Sequence, residues 1–132
     1  MNKAKIENYL RLYPGIDDDI IQIGKELEDL KKRKQILIDN EDMDTYSANS
    51  LLETIDAAIL SAQEEFDELF KANKIILKTY YSLSPMEKQI IRIRFWNGRP
   101  CPTPWNKIAK SMNYHRTTLE NIYKKTLEKM LN

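Results

Sequence analysis

Glycine is scarce in this chain, at three residues in 132, and there is one cysteine and one histidine. Leu, Ile, Lys and Glu dominate instead, which favours helices over sheets. A lone cysteine, Cys101, excludes an internal disulfide, and Cys101 with His115 is too small a ligand set for a tetrahedral zinc site, so no structural metal is expected. No apolar run approaches the ~20 residues that span a bilayer, and no leader of the secretory type is apparent. The expectation is a cytoplasmic protein with no membrane partner. There is no glycine-rich phosphate loop, no metal-ligand cluster, and no Ser, Cys or carboxylate at a motif spacing from His115, so neither a cofactor nor an enzymatic activity is expected. The length allows one domain, or a small domain with a helical appendage.

A net charge of +1 conceals a strong asymmetry. Residues 1–83 hold 11 Lys/Arg against 17 Asp/Glu, giving −6, whereas residues 84–132 hold 10 against 3, giving +7. Opposite halves of this kind are the footprint of a nucleic-acid-binding end attached to a solvated acidic arm. The blander alternative is that the charges only solubilise helical faces.

From Ile20, the apolar positions Ile20, Ile23, Leu27, Leu30 and Leu37 alternate at spacings of three and four, with Lys34 in the one missing slot. That is a heptad seam. Residues 40–47, NEDMDTYS, lack the seam and read as a connecting loop. The seam resumes through Leu52, Ile55, Ile59, Ala62, Phe66, Leu69, Asn73, Ile76, Tyr80 and Leu83, a helix of ~50 Å. A short connection predicts an antiparallel pair, with Leu37 near Leu52, Leu30 near Ile59, Leu27 near Ala62 and Ile23 near Phe66. Lys34 then faces the region of Ile55, within reach of Glu53 and Asp56. Asn73 is either a buried register-setting residue or a wet one beyond the hairpin partner. The first segment, with Ile6, Tyr9, Leu10 and Tyr13, reads as a short helix broken at Pro14-Gly15 and folded back onto the Ile76 to Leu83 end. Ile21, Ile36 and Leu51 are left over; they either receive that first helix or form a second seam for a homodimer.

Strong start and stop signals mark the carboxy-terminal third. Ser84, Pro85 and Glu87 match a capping box with proline at the first helical position. Ile90, Ile91, Arg94 and Phe95 give the following helix one mainly apolar face, and Asn97-Gly98 ends it. The stretch RPCPTP cannot be helical, and Thr103 before Pro104 repeats the cap-then-proline signal for a helix through Trp105, Ile108, Ala109 and Met112. Asn113 reads as a stop in the left-handed conformation, and His115 as the N-cap of a last helix from Arg116 almost to Asn132. Small Ala109, with Ile108, Met112, Tyr114, Leu119 and Ile122, supplies what two helices crossing around a short turn require, a helix-turn-helix pattern. Trp96 and Trp105 are expected in the core rather than stacked on bases.

The residues LSPMEKQIIRIRF and WNKIAKSMNYHRTTLENIYKKTLEKM resemble region four of bacterial sigma factors, the helix-turn-helix domain that binds promoter DNA and RNA polymerase, over about residues 83–131. With the acidic hairpin ahead of it, the whole chain resembles the RinA/ArpU-like phage late-gene transcriptional regulators. Asn113 and His115 stand where that pattern usually has Gly and Ser, and RPCP lengthens the loop before the first motif helix. Nothing ahead of the motif resembles the promoter-melting sigma region, so a complete sigma factor is not expected.

The resemblance implies an all-α fold, with a helical hairpin or coiled-coil arm over residues 1–83 and a helix-turn-helix domain over residues 84–132. It implies double-stranded DNA as partner, and RNA polymerase as a second. The start of the last helix would enter the major groove with Arg116, Thr117, Glu120, Asn121 and Lys124, side chains suited to base edges. Lys125, Lys107, Lys110 and Arg99 would touch phosphate, which positions without specifying. Thr118 is expected nearer the buried side. His115 is read as a cap that touches phosphate, and Cys101 as incidental in a stiff exposed loop. Two other classes stay open: a DNA-packaging adaptor like a small terminase subunit, and a protein-only module that binds polymerase.

Overall fold

The computed structural model describes residues 1–40 and 44–132, and all their regular structure is helical. The helices are α1 (Lys3–Leu12), α2 (Ile16–Asp39), α3 (Thr45–Tyr80), α4 (Pro85–Phe95), α5 (Trp105–Met112) and α6 (Arg116–Leu131), with a 3₁₀ turn at Tyr13–Gly15 between the first two. Packing divides the chain into two compact units, residues 16–71 and residues 1–15 with 72–132. That division differs from a boundary at residue 83. Its cause is that Ile6, Tyr9 and Leu10 of α1, and Ala72, Ile76, Tyr80 and Leu83, are buried in the same unit as α4 to α6.

Residues 16–71 form the antiparallel pair. Lys34 Nζ meets Asp56 Oδ1 at 2.8 Å, and a Cβ placed on Gly24 would lie 3.8 Å from Phe66 Cε2. Moving up α2 from Gly24 to Lys34 thus moves down α3 from Phe66 to Asp56, within a residue of the expected register. Ile23, Leu27, Ala62 and Leu69 are buried along this seam, while Leu30, Leu37, Ile55 and Phe66 are half-buried. Three of the residues expected in the connecting loop, Thr45, Tyr46 and Ser47, are helical instead. Asp44 starts the helix early, its Oδ1 accepting from Ser47 N at 2.9 Å and its carbonyl from Ala48 N at 3.0 Å. Asn40 and Asp44 are non-helical as expected, and residues 41–43 of that loop lie outside the described residues. Ile21, Ile36 and Leu51 are exposed.

In the other unit, α1 packs on α6 and α4. Tyr13 stacks on Trp96 with centroids 5.2 Å apart, Tyr80 meets Trp96 edge-on at 4.6 Å, and Trp105 meets Tyr123 edge-on at 5.0 Å, so both tryptophans pack on aromatic rings while remaining half-buried rather than in the core. Ala72, fully buried, takes the slot that the heptad reading assigned to Asn73, which is half-buried beside it. The Ser84 capping box is complete, with Ser84 Oγ accepting from Glu87 N and Glu87 Oε1 accepting from Ser84 N. α4 ends at Phe95 with Trp96 as its C-cap, two residues before the expected Asn97-Gly98 stop, and Gly98 in the loop that follows adopts φ +77°, a conformation glycine enters without strain.

Candidate nucleic-acid interface

α5 and α6 pack around Ile108 and Leu119, both fully buried, and the three-residue turn between them begins at Asn113 with φ 57° and ψ 46°. Its left-handed backbone lets Tyr114 N donate to the Ala109 carbonyl at 3.1 Å, closing α5 as a helix stop. Two side chains of this turn differ from expectation. Tyr114 is 50% exposed and so is not one of the hydrophobic slots. His115 occupies the N-cap position, but its imidazole makes no capping hydrogen bond.

The first motif helix also starts differently. Pro104 is the N-cap of α5, and Thr103 is buried, its Oγ1 donating to the Ile93 carbonyl at 2.7 Å and accepting from Asn97 Nδ2. Thr103 N donates to the Arg94 carbonyl at 2.9 Å, and Arg94 Nη1 donates to the Thr103 carbonyl at 2.9 Å. The threonine therefore clamps the proline-rich loop onto the end of α4 instead of capping α5. Arg94, half-buried, is held by the same arrangement: its guanidinium carbon lies 4.5 Å from the Trp105 ring centroid and 5.4 Å from that of Tyr123. Burial, followed by the nearby Glu7 charge, pushes the Tyr123 phenol well above its usual pKa.

On α6 the buried stripe is Leu119, Tyr123, Thr126, Leu127 and Met130. At 3.6 residues per turn the opposite face carries Thr117, Thr118, Asn121, Lys124 and Lys125, and all five are exposed. Thr118 thus points outward rather than toward the core, and with Lys110, Asn113, Tyr114 and His115 it lines a recess over the turn. Glu120 and Lys124 lie at the other edge, in a recess with Lys3, Glu7 and Trp105. Arg99 and Lys107 come together in a cavity of about 440 Å³ whose lining adds a third cation, Arg92. Arg116 is engaged, its Nε donating to Glu120 Oε1 at 2.8 Å and its Nη1 to Asn106 Oδ1 at 3.2 Å.

Arg92, Asn106, Tyr114 and Thr118 are thus additions to the sequence-derived set. A signal for Arg92 exists in the chain: between Glu87 and Glu120 there is no Asp or Glu, while Lys88, Arg92, Arg94, Arg99, Lys107, Lys110 and Arg116 all fall there. Among the described residues no group of three or more His, Cys, Asp or Glu side chains is placed to hold a metal ion, and no helix is long and apolar enough to cross a membrane. No protein-family model matches the chain, and no curated protein and no solved structure matches it.

Proposed function

We propose that this protein is a sequence-specific DNA-binding transcriptional regulator of the sigma region-four-like kind, phage or prophage encoded, whose α6 lies in the major groove. The observation that carries the reading is the exposed face of α6, with Thr117, Thr118, Asn121, Lys124 and Lys125, following a tight left-handed turn and an acid-free, cation-rich span. Polar side chains of these types match base edges, and the surrounding lysines and arginines match phosphates. RNA polymerase is the second partner in this proposal. The test is selection of bound duplexes from a random pool followed by titration across salt. Enrichment of one site with a steep salt dependence is the expected result. A protein that enriches no sequence and binds no duplex at low salt would end the proposal. Self-association of the arm belongs to it as well, through exposed Ile21, Ile36 and Leu51; a monomeric mass at high concentration would remove that part.

A further inference from the structure

Arg116 and Glu120 would each, taken alone, be candidates to read a base, arginine on guanine and glutamate on cytosine. Their geometry assigns them unequal parts. Arg116 is held from two helices, by Glu120 one turn along α6 and by Asn106 in the first turn of α5. Of the five N–H groups on an arginine side chain, these two bonds use the one on Nε and one on Nη1. Three remain, one on Nη1 and two on Nη2, and one N–H from each nitrogen supplies a paired contact with O6 and N7 of guanine. Glu120 is less free: its side chain is 30% exposed against 54% for Arg116, and Oε1 is already committed to the guanidinium.

Resting on the proposed DNA reading, we infer that Asn106 and Glu120 are positioning residues for Arg116, and that Glu120 does not itself read cytosine. A long arginine side chain loses much rotamer freedom when it docks on a base. Anchored on two helices beforehand, Arg116 has already lost it. The pairing also offsets the Glu120 charge, which would otherwise repel nearby phosphates. Asn106 becomes a determinant of specificity on the first motif helix, through Arg116 and without touching a base.

A double-mutant cycle tests this on the duplex enriched by the parent protein, on versions with each base pair changed, and on unrelated duplex. Asn106→Ala and Glu120→Ala should each lower discrimination roughly 10-fold at the same base pair that Arg116→Ala affects, with unrelated duplex bound within about 2-fold of the parent. In the Arg116→Ala background neither should lower it further, and Asn106→Asp, which keeps the acceptor, should retain it. Because the pair is solvent-exposed it adds little to folding, so these variants remain folded. A Glu120→Ala effect at a different base pair, a loss that persists without Arg116, or no loss at all would overturn the inference while leaving DNA recognition intact. Failure of the parent to enrich any site would instead remove the reading on which the inference rests.

Discussion

Glu87 and Lys129 are joined by a salt bridge of 3.0 Å that ties the first turn of α4 to the last turn of α6. The carboxylate also accepts from Thr126 Oγ1 at 3.1 Å and closes the Ser84 capping box. Burial by itself would raise its pKa, but the Ser84 backbone N–H, Lys129 and Thr126 outweigh that and hold it at about 2, against an ordinary 4.5. A depressed carboxylate stabilises the fold fully above the unfolded value, and that stability disappears as the pH falls from 4.5 toward about 2. Glu87→Gln should cost on the order of 1.5 to 3 kcal/mol at neutral pH and flatten the acid limb of stability. Denaturant titrations with the same acid limb in parent and variant would contradict this.

Trp96 Nε1 donates to the Leu10 carbonyl at 2.6 Å. In a continuing helix that carbonyl would accept from the residue four positions on, which is Pro14 and has no N–H. The indole supplies the donor that the proline lacks. Trp96→Phe keeps much of the ring packing but leaves the carbonyl unpaired, at a cost of about 1 to 3 kcal/mol. Hydrogen exchange across α1 should accelerate in the variant; an unchanged exchange pattern and midpoint would show that the bond contributes nothing.

Two substitutions in the arm should move stability in opposite directions. Leu27 is buried, and Leu27→Ala should destabilise by roughly 2 to 5 kcal/mol. Gly24→Ala should stabilise by about 0.5 to 1 kcal/mol, because the new methyl would meet Phe66 at ordinary contact distance while helix propensity improves. Urea midpoints read both, and a destabilising Gly24→Ala would mean that the two helices approach more closely than 3.8 Å allows.

On DNA, positioning and reading should separate. Asn121→Ala should weaken the enriched site by ~1 to 3 kcal/mol with little effect on unrelated duplex, whereas Lys125→Ala should weaken both and reduce the salt slope by about one. Binding isotherms at several salt concentrations distinguish them. Equal effects of both substitutions on every duplex would leave a basic surface that holds DNA without reading it.

Much of the secondary structure was legible because its signals act between neighbours in the chain. The capping box at Ser84 and Glu87, the turn glycine Gly98 just past the end of α4 and the left-handed Asn113 depend on backbone geometry within a turn or two. The heptad seam of α2 and α3 was legible for a related reason, since an antiparallel pair with a short connection leaves little choice of register. Where these signals failed, a nearby competitor had won: Asp44 extends α3 into the expected loop, and Thr103 is drawn off capping duty by Ile93 and Asn97.

The sequence by itself determined the all-α class, the antiparallel arm, the helix-turn-helix pattern and which face of α6 holds Asn121 and Lys125. Only the tertiary structure decided that α1 joins the carboxy-terminal unit, that Arg94 is enclosed by aromatic rings while Arg92 joins Arg99 and Lys107, and that Arg116 is shared between Glu120 and Asn106. These outcomes rest on contacts between residues far apart in the chain, such as Trp96 with Leu10 or Glu87 with Lys129, or on competition among several partners for one charged group. Helical periodicity says which side of a helix is buried. It carries no information about which distant group meets it there.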